Sequence, residues 1–170
     1  MNKKKRLLPF ILTTCIVAAD QLIKLWISAN VTQNTIGYRL FGGDFLRIIH
    51  VRNNAIAFSM GSGFTNVVRL ILFVVVPLIL IGFLLFYVIR SNEFTPYQRW
   101  LIAGAAGGGL GNLIDRIFRS SWVIDYIDVK FYGLFGMERF PTFNLADFSI
   151  VVCGILLIIT FLYSLRGKNE

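Results

Sequence analysis

The sequence predicts a mainly α, integral membrane fold, with four transmembrane helices and a small extracytoplasmic β-element between helices 1 and 2. Three observations carry this prediction. The chain is 56% hydrophobic and only 15% charged, where a soluble domain holds about 25% charged residues. Its mean hydropathy is +0.68. The apolar residues also gather in four long runs, each near the ~20 residues that a helix needs to cross a bilayer. The 170 residues fit one polytopic membrane domain, 1–170.

The first span runs over about residues 7–27, after the cluster Lys3, Lys4, Lys5 and Arg6. A basic start, an apolar core from Leu7 to Ala18 and small residues near Val17 and Ala19 resemble a cleavable leader. The helical pattern continues through Leu22, Ile23, Leu25, Trp26 and Ile27, which favours a retained span. The second span covers about 67–89, with Pro77 in its middle. The third covers about 100–118 and is rich in glycine; the fourth covers about 145–165.

Between the first two spans lies an outer segment, about 28–66. Its apolar runs Phe45–Val51 and Ala55–Phe58 flank Asn53-Asn54, which reads as a β-hairpin on the outer membrane surface. A second outer segment, about 119–143, reads as a flap. Its aromatic-rich part, Lys130–Thr142, is expected to move or to dip into the membrane.

Charge sets the orientation. The N-terminal tail, residues 90–99 and the C-terminal tail hold eight of the 17 Lys and Arg in short segments. That density places both termini in the cytoplasm. Seven of the nine acids (Asp20, Asp44, Asp115, Asp125, Asp128, Glu138 and Asp147) then fall on the outer side. The net charge of +8 forms no stripe with interleaved aromatics, so membrane lipids are the expected partner and nucleic acid is not. Cys15 and Cys153 sit in apolar runs, and His50 is the single histidine. No metal and no cofactor are expected, and a monomer is expected.

Ionisable groups in spans are costly and usually functional. Asp20 and Lys24 are four apart and can pair on one helix face. In the third span, Gly104/Gly108 and Gly107/Gly111 share faces that let another backbone approach. Asn112, Asp115 and Arg116 follow; the last two can satisfy one another or neighbouring helices. Val123–Val129 carries Asp125 and Asp128 in an apolar setting. The two share a face if helical and oppose if extended. The fourth span opens on Asn144-Leu145-Ala146-Asp147, where Asn144 is a good N-cap and Asp147 completes a capping box.

The third span exits and the fourth enters on one side, so Asp125 and Asp147 can meet at one depth. Two carboxylates close together in a dry site share a proton. One acts as base on water and the other as acid toward a carbonyl, which is aspartic-peptidase chemistry. Spacing alone leaves Asp128 open beside Asp125. Ser59, Ser62 and His50 show no triad spacing. The alternative is a small proton-coupled membrane transporter with Asp20, Asp115 and Asp147 as relays. Its acids should lie near mid-bilayer, whereas these cluster at the outer helix ends.

Five segments together resemble the bacterial lipoprotein signal peptidase (signal peptidase II) family. They are Asp20-Gln21 with Lys24, Arg52–Ser59, Gly108–Arg116, Val123–Ile127 and Phe143–Asp147. The resemblance spans nearly the whole chain. It implies four transmembrane helices with an extracytoplasmic β-cradle in a bacterial cytoplasmic membrane, and an active site near the outer face. It implies an aspartic endopeptidase that cuts diacylglyceryl-modified prolipoproteins just before the lipidated cysteine, with globomycin-type inhibition. Asp125 and Asp147 match the family's catalytic positions. Asp20, Asn53, Gly108, Asn112, Arg116, Asn144 and Ala146 match positions that line or support the site; Lys24 and Asp115 join them as site support. One departure is Ala55-Ile56, where the family's outer-loop motif has Gly-Ala.

Overall fold

The computed structural model describes residues 6–53, 64–119 and 122–166. Its elements, in chain order, are helix α1 (Phe10–Asn30), strands β1 (Ile36–Leu40) and β2 (Leu46–Asn53), helix α2 (Asn66–Arg90), helix α3 (Pro96–Phe118), strand β3 (Val123–Val129) and helix α4 (Leu145–Arg166). Three of these helices, α1, α2 and α4, are long and apolar enough to cross a membrane. At 23 residues α3 is as long as these, but its glycines and polar groups make it less apolar.

That composition follows from where α3 sits. It packs against α1, α2 and α4, and most of its residues are buried. A Cβ at Gly107 would come within 3.1 Å of Thr13 Cα on α1, and one at Gly109 within 2.7 Å of Ile81 Cδ1 on α2. One at Gly108 would drive into the Ala146 carbonyl oxygen of α4 and sit 2.9 Å from Ile150 Cγ1. Small residues replace apolar bulk here because helices in lipid associate by close packing rather than by hydrophobic force. The expected faces are both present: Gly104 and Gly108 meet α4, while Gly107 and Gly111 meet α1. Thr95 and Gln98 close a capping box at the start of α3.

Helix α2 is irregular for a local reason. Pro77 has no N–H and its ring crowds the preceding turn. The helix widens into a π-helical stretch at Ile71–Val75 just before it.

The β-element differs from the expected hairpin in two ways. The run Phe45–Val51 does form a strand, but β2 turns back on β1 before it, with Leu40 opposite Leu46. The other expected arm, Ala55–Phe58, lies outside the described residues, as do Asn54 and Ser59. The third strand, β3, comes from the segment that reads as a flap, between α3 and α4. It pairs antiparallel with β2, setting Asp125 opposite Val51 and Asp128 opposite Arg47. The β-branched and aromatic residues Val123, Ile124, Tyr126, Ile127 and Val129 favour that extended form. Ile27 and Val31 at the end of α1 pack with Ile124 and Tyr126, which seats the sheet on the helices.

Gly108→Ala is therefore expected to destabilise the protein by about 1–3 kcal/mol through overpacking. Gly82, inside α2, where a Cβ would meet nothing within 4 Å, is the control, and Gly82→Ala should not destabilise but stabilise by about 0.5–1 kcal/mol. Thermal unfolding in detergent reads both.

Candidate active site

The site forms where three elements converge: the C-terminal end of α3, strand β3 and the first turn of α4. The sequence order Phe143-Asn144-Leu145-Ala146-Asp147 starts that turn. Asn144 Oδ1 accepts from the Asp147 amide at 2.9 Å, and Asp147 Oδ2 accepts from the Asn144 amide at 3.2 Å. This is the expected capping box. Here it also fixes the Asp147 side chain, whose other oxygen, Oδ1, accepts from Asn112 Nδ2 at 2.7 Å.

Asp125 is held separately. It is almost wholly buried. Its Oδ2 accepts from Asn53 Nδ2 at 2.9 Å and its Oδ1 from Asn144 Nδ2 at 2.8 Å. Asn144 thus touches both carboxylates, Asp125 through its side-chain amide and Asp147 through its backbone N–H. Burial pushes the Asp125 carboxyl up to about 7, and the nearby Asp147 charge adds to that, against the lowering effect of the Asn53 and Asn144 bonds.

Asp128, three residues along an extended strand, points the other way. It accepts from Arg139 Nε at 2.6 Å and has Arg47 3.9 Å away. Arg139 also donates to the Asp44 carbonyl at 3.1 Å. This ion cluster pins residues 130–139 to the β1–β2 hairpin. Strand parity thus separates Asp125 from Asp128, which spacing leaves open: Asp125 shares a cavity with Asp147, and Asp128 faces arginines.

That cavity measures about 580 Å³. Of the residues singled out from sequence, Asn53, Asn112, Arg116, Asp125 and Asp147 line it. Its other walls are apolar, from Pro77 and Ile81 on α2, Phe140 and Phe143 before α4, and Ile150 and Val151 on α4. Arg116 is half-buried there, with Asp147, Asp125 and Asp115 within electrostatic reach.

Asp20, Lys24, Asp115, Gly108, Asn144 and Ala146 stand behind the cavity wall. Lys24 Nζ lies 2.8 Å from Asp20 and 2.9 Å from Asp115, all three side chains fully buried. The Asp20–Lys24 pair is legible at i, i+4; its Asp115 partner comes from another helix. Asp115 pairs with Lys24 and with Arg119, the latter at 3.1 Å, rather than with Arg116, its neighbour in sequence. Asp20 Oδ1 accepts from the Ala146 amide at 3.1 Å, which ties α1 to the α4 turn carrying Asp147. Sequence reasoning gives no role to Gln21, Arg119 or Tyr126. Gln21 Nε2 donates to Asp115 Oδ1 at 3.0 Å, and the Tyr126 hydroxyl accepts from the Leu145 amide at 3.1 Å. Arg119, at i+4 from Asp115, carries a usable spacing signal. Among the described residues, no three His, Cys, Asp or Glu side chains come together in a way that could hold a metal ion.

A membrane site with two carboxylates on one apolar cavity invites comparison with known proteins. The family model described as signal peptidase (SPase) II matches residues 12–163. The chain belongs to the signal peptidase II family. The lipoprotein signal peptidase of Treponema pallidum is 46% identical over 160 residues, covering 94% of this chain and 86% of that protein. Its counterpart in Treponema denticola is 47% identical over 154 residues, covering 91% and 88%. A bacterial membrane enzyme solved by the in meso method superposes with a TM-score of 0.81 at 28% identity, over 95% of this chain and 92% of that one. With its three apolar helices, this signal peptidase II family member is a multi-pass membrane protein and a peptidase.

The raised Asp125 carboxyl has a sign that can be measured. Its ordinary value is 3.8 and its folded value about 7. The folded state therefore binds this proton more tightly than the unfolded state. The stability it contributes is full below about pH 4 and is lost as pH rises through 7. Asp125→Asn removes that loss, so its unfolding temperature should vary less between pH 4 and 8, and should exceed the parent's at pH 8. A pH series of thermal unfolding curves in one detergent checks this.

Proposed function

We propose that this protein removes the signal peptide from diacylglyceryl-modified prolipoproteins, cutting just before the lipidated cysteine, with Asp125 and Asp147 as the catalytic pair. The observation that carries the reading is the shared cavity: both carboxylates open into it, and Asn144 touches both. The names of the relatives supply the substrate class; the chemistry follows from the site.

Asp147 sits in the first turn of a helix and accepts from Asn112 and the Asn144 amide. Helix N-termini and amide donors favour a carboxylate, which assigns it as the base. Asp125, with its affinity for a proton raised to about 7, starts as the acid. Asp147 takes a proton from water as the water oxygen attacks the scissile carbonyl carbon. Asp125 gives its proton to the carbonyl oxygen. The gem-diol intermediate then collapses: one hydroxyl returns its proton to Asp125, the C–N bond breaks, and the proton on Asp147 passes to the leaving amine of the cysteine, which restores both carboxyls to their starting states. The macroscopic proton affinities belong to the pair.

Substrate access fits the same architecture. Helix α2 packs on α3 and scarcely touches α4. The cavity wall at Pro77, Ile81, Ile150 and Val151 therefore lies between α2 and α4. A signal-peptide helix enters sideways there while its acyl chains stay in lipid. In this reading α3 also crosses the membrane, which makes four spans in all, and is shielded from lipid by its neighbours. The termini lie in the cytoplasm, the sheet and the aspartates at the outer face of a bacterial cytoplasmic membrane, and the enzyme works as a monomer without metal or cofactor.

Incubation of the purified protein with a diacylglyceryl prolipoprotein should produce a mass loss equal to its signal peptide. Asp125→Asn and Asp147→Asn should each lower turnover by at least about 10³-fold. Asp128→Asn, which loses only the arginine contacts on the far face of the strand, should stay within about 10-fold of the parent. Near-normal turnover of either dyad variant sinks the assignment.

A further inference from the structure

Lys24 is a fully buried charge, and its third bond is the informative one. An ammonium has three donors. Two go to Asp20 and Asp115. The third goes to Asn112 Oδ1, at 3.1 Å. Neutralising two carboxylates would need only the first two.

The third bond decides which way the Asn112 amide faces. Its Oδ1 receives Lys24 Nζ and also Asn144 Nδ2, at 3.2 Å. Its Nδ2 then faces Asp147 Oδ1 at 2.7 Å. The reversed amide would set its NH₂ against two other donors in a buried pocket. It would also set its oxygen against a carboxylate oxygen. Both are costly where water cannot compensate. Lys24 itself cannot swing away, because the carboxylates that hold it are anchored. Asp20 accepts from the Ala146 amide at 3.1 Å, and Asp115 accepts from the Ile124 amide at 3.2 Å and from Arg119.

We propose that Lys24 is a positioning residue for the reaction: by occupying Asn112 Oδ1 it turns the Asn112 amide to donate to Asp147. The inference rests on the reading of Asp147 as a catalytic carboxylate. Lys24 lies behind the cavity wall and touches no substrate. Its effect on Asp147 passes through one amide, and its effect on Asp125 passes through Asn112 and Asn144, whose Nδ2 bonds both Asn112 and Asp125. The charged and titratable groups around this chain of bonds are Asp20 on α1, Asp115, Arg116 and Arg119 on or at the end of α3, Asp125 and Tyr126 on β3, and Asp147 on α4.

The test separates orientation from simple charge balance. Lys24→Met combined with Asp20→Asn removes one charge of each sign and leaves the Asp115–Arg119 pair. The purified variant is assayed on the lipidated prolipoprotein across pH 5–9, beside Asp20→Asn alone. Loss of an amide donor to a working carboxylate moves the acid limb of kcat upward by about one pH unit or more and lowers kcat about 10-fold or more, with KM within about 3-fold. Asp20→Asn alone, which keeps Lys24, is the baseline from which the shift of the acid limb in the double variant is read. An unmoved acid limb and kcat within about 3-fold of Asp20→Asn overturn the proposal. If the double variant does not fold, Asn112→Asp serves instead. It keeps an acceptor for Lys24 but turns an oxygen to Asp147, so the acid limb must rise; an unchanged profile overturns the proposal. Asp147→Asn runs in parallel. If it keeps turnover, the dyad reading fails; if it is inactive while the Lys24 variant is normal, only the role of Lys24 fails.

Discussion

The close approach of α3 to α4 at Gly108 is the contact on which the rest depends. With no side chain there, the Ala146 carbonyl and Ile150 come against the α3 backbone. That proximity puts Asn112, one turn along α3, within hydrogen-bond reach of both Asn144 and Asp147. It also lets Asp20 reach across from α1 to the Ala146 amide, past Gly111, where a Cβ would lie 2.8 Å from Asp20 Oδ2. A methyl group at either glycine pushes apart the elements that carry the acids. Function here rests on missing side chains as much as on present ones.

Close packing then allows polar groups to be buried in a protein surrounded by lipid. The buried groups divide into two sets. Asp20, Lys24 and Asp115 form an ion cluster whose charges have direct opposite partners. Such a cluster is costly to desolvate and costlier to break, so it holds α1 to α3 rigidly. Asp125 has no cation bonded to it among the described residues. Its partners are amides, from Asn53 and Asn144, and amides offset burial only in part. Burial pushes the Asp125 carboxyl up to about 7. In the proposed reaction, the same low dielectric that raises the cost of Asp125 makes its proton transfer useful.

Much of this is legible in the sequence because the signals are local. The Asn144–Asp147 capping box, the Asp20–Lys24 pair and the paired glycine faces are all short-range patterns on helices, and each appears where its spacing puts it. The apolar runs of α1, α2 and α4 are plain for the same reason. What spacing cannot supply is pairing between distant segments. Asn53 on β2 and Asp125 on β3 are 72 residues apart, so the register that opposes Val51 to Asp125 leaves no local trace. The pairings of Phe45–Val51 that the structure describes are therefore with the residues before it and with a strand that reads as flap from sequence. Asp115 likewise has Arg116 beside it in sequence, whereas its partners Lys24 and Gln21 lie on another helix.

Strand β3 shows how that non-local pairing bears on chemistry. In Val123–Val129 the two acids are three apart, so a helix would present both to the cavity and a strand only one. Pairing with β2 imposes the strand. It leaves Asp125 beside Asn53 at the cavity and sends Asp128 to Arg139 and Arg47. Arg139 lies just before Phe140 and Pro141, which form part of the cavity wall. One strand therefore does two separate things with two identical side chains. It offers a carboxyl to the site on one face, and on the other it uses a carboxylate to hold that wall in place. Residue type alone cannot distinguish them. The parity of an extended backbone does, and that parity depends on a partner strand that precedes two whole helices in the chain.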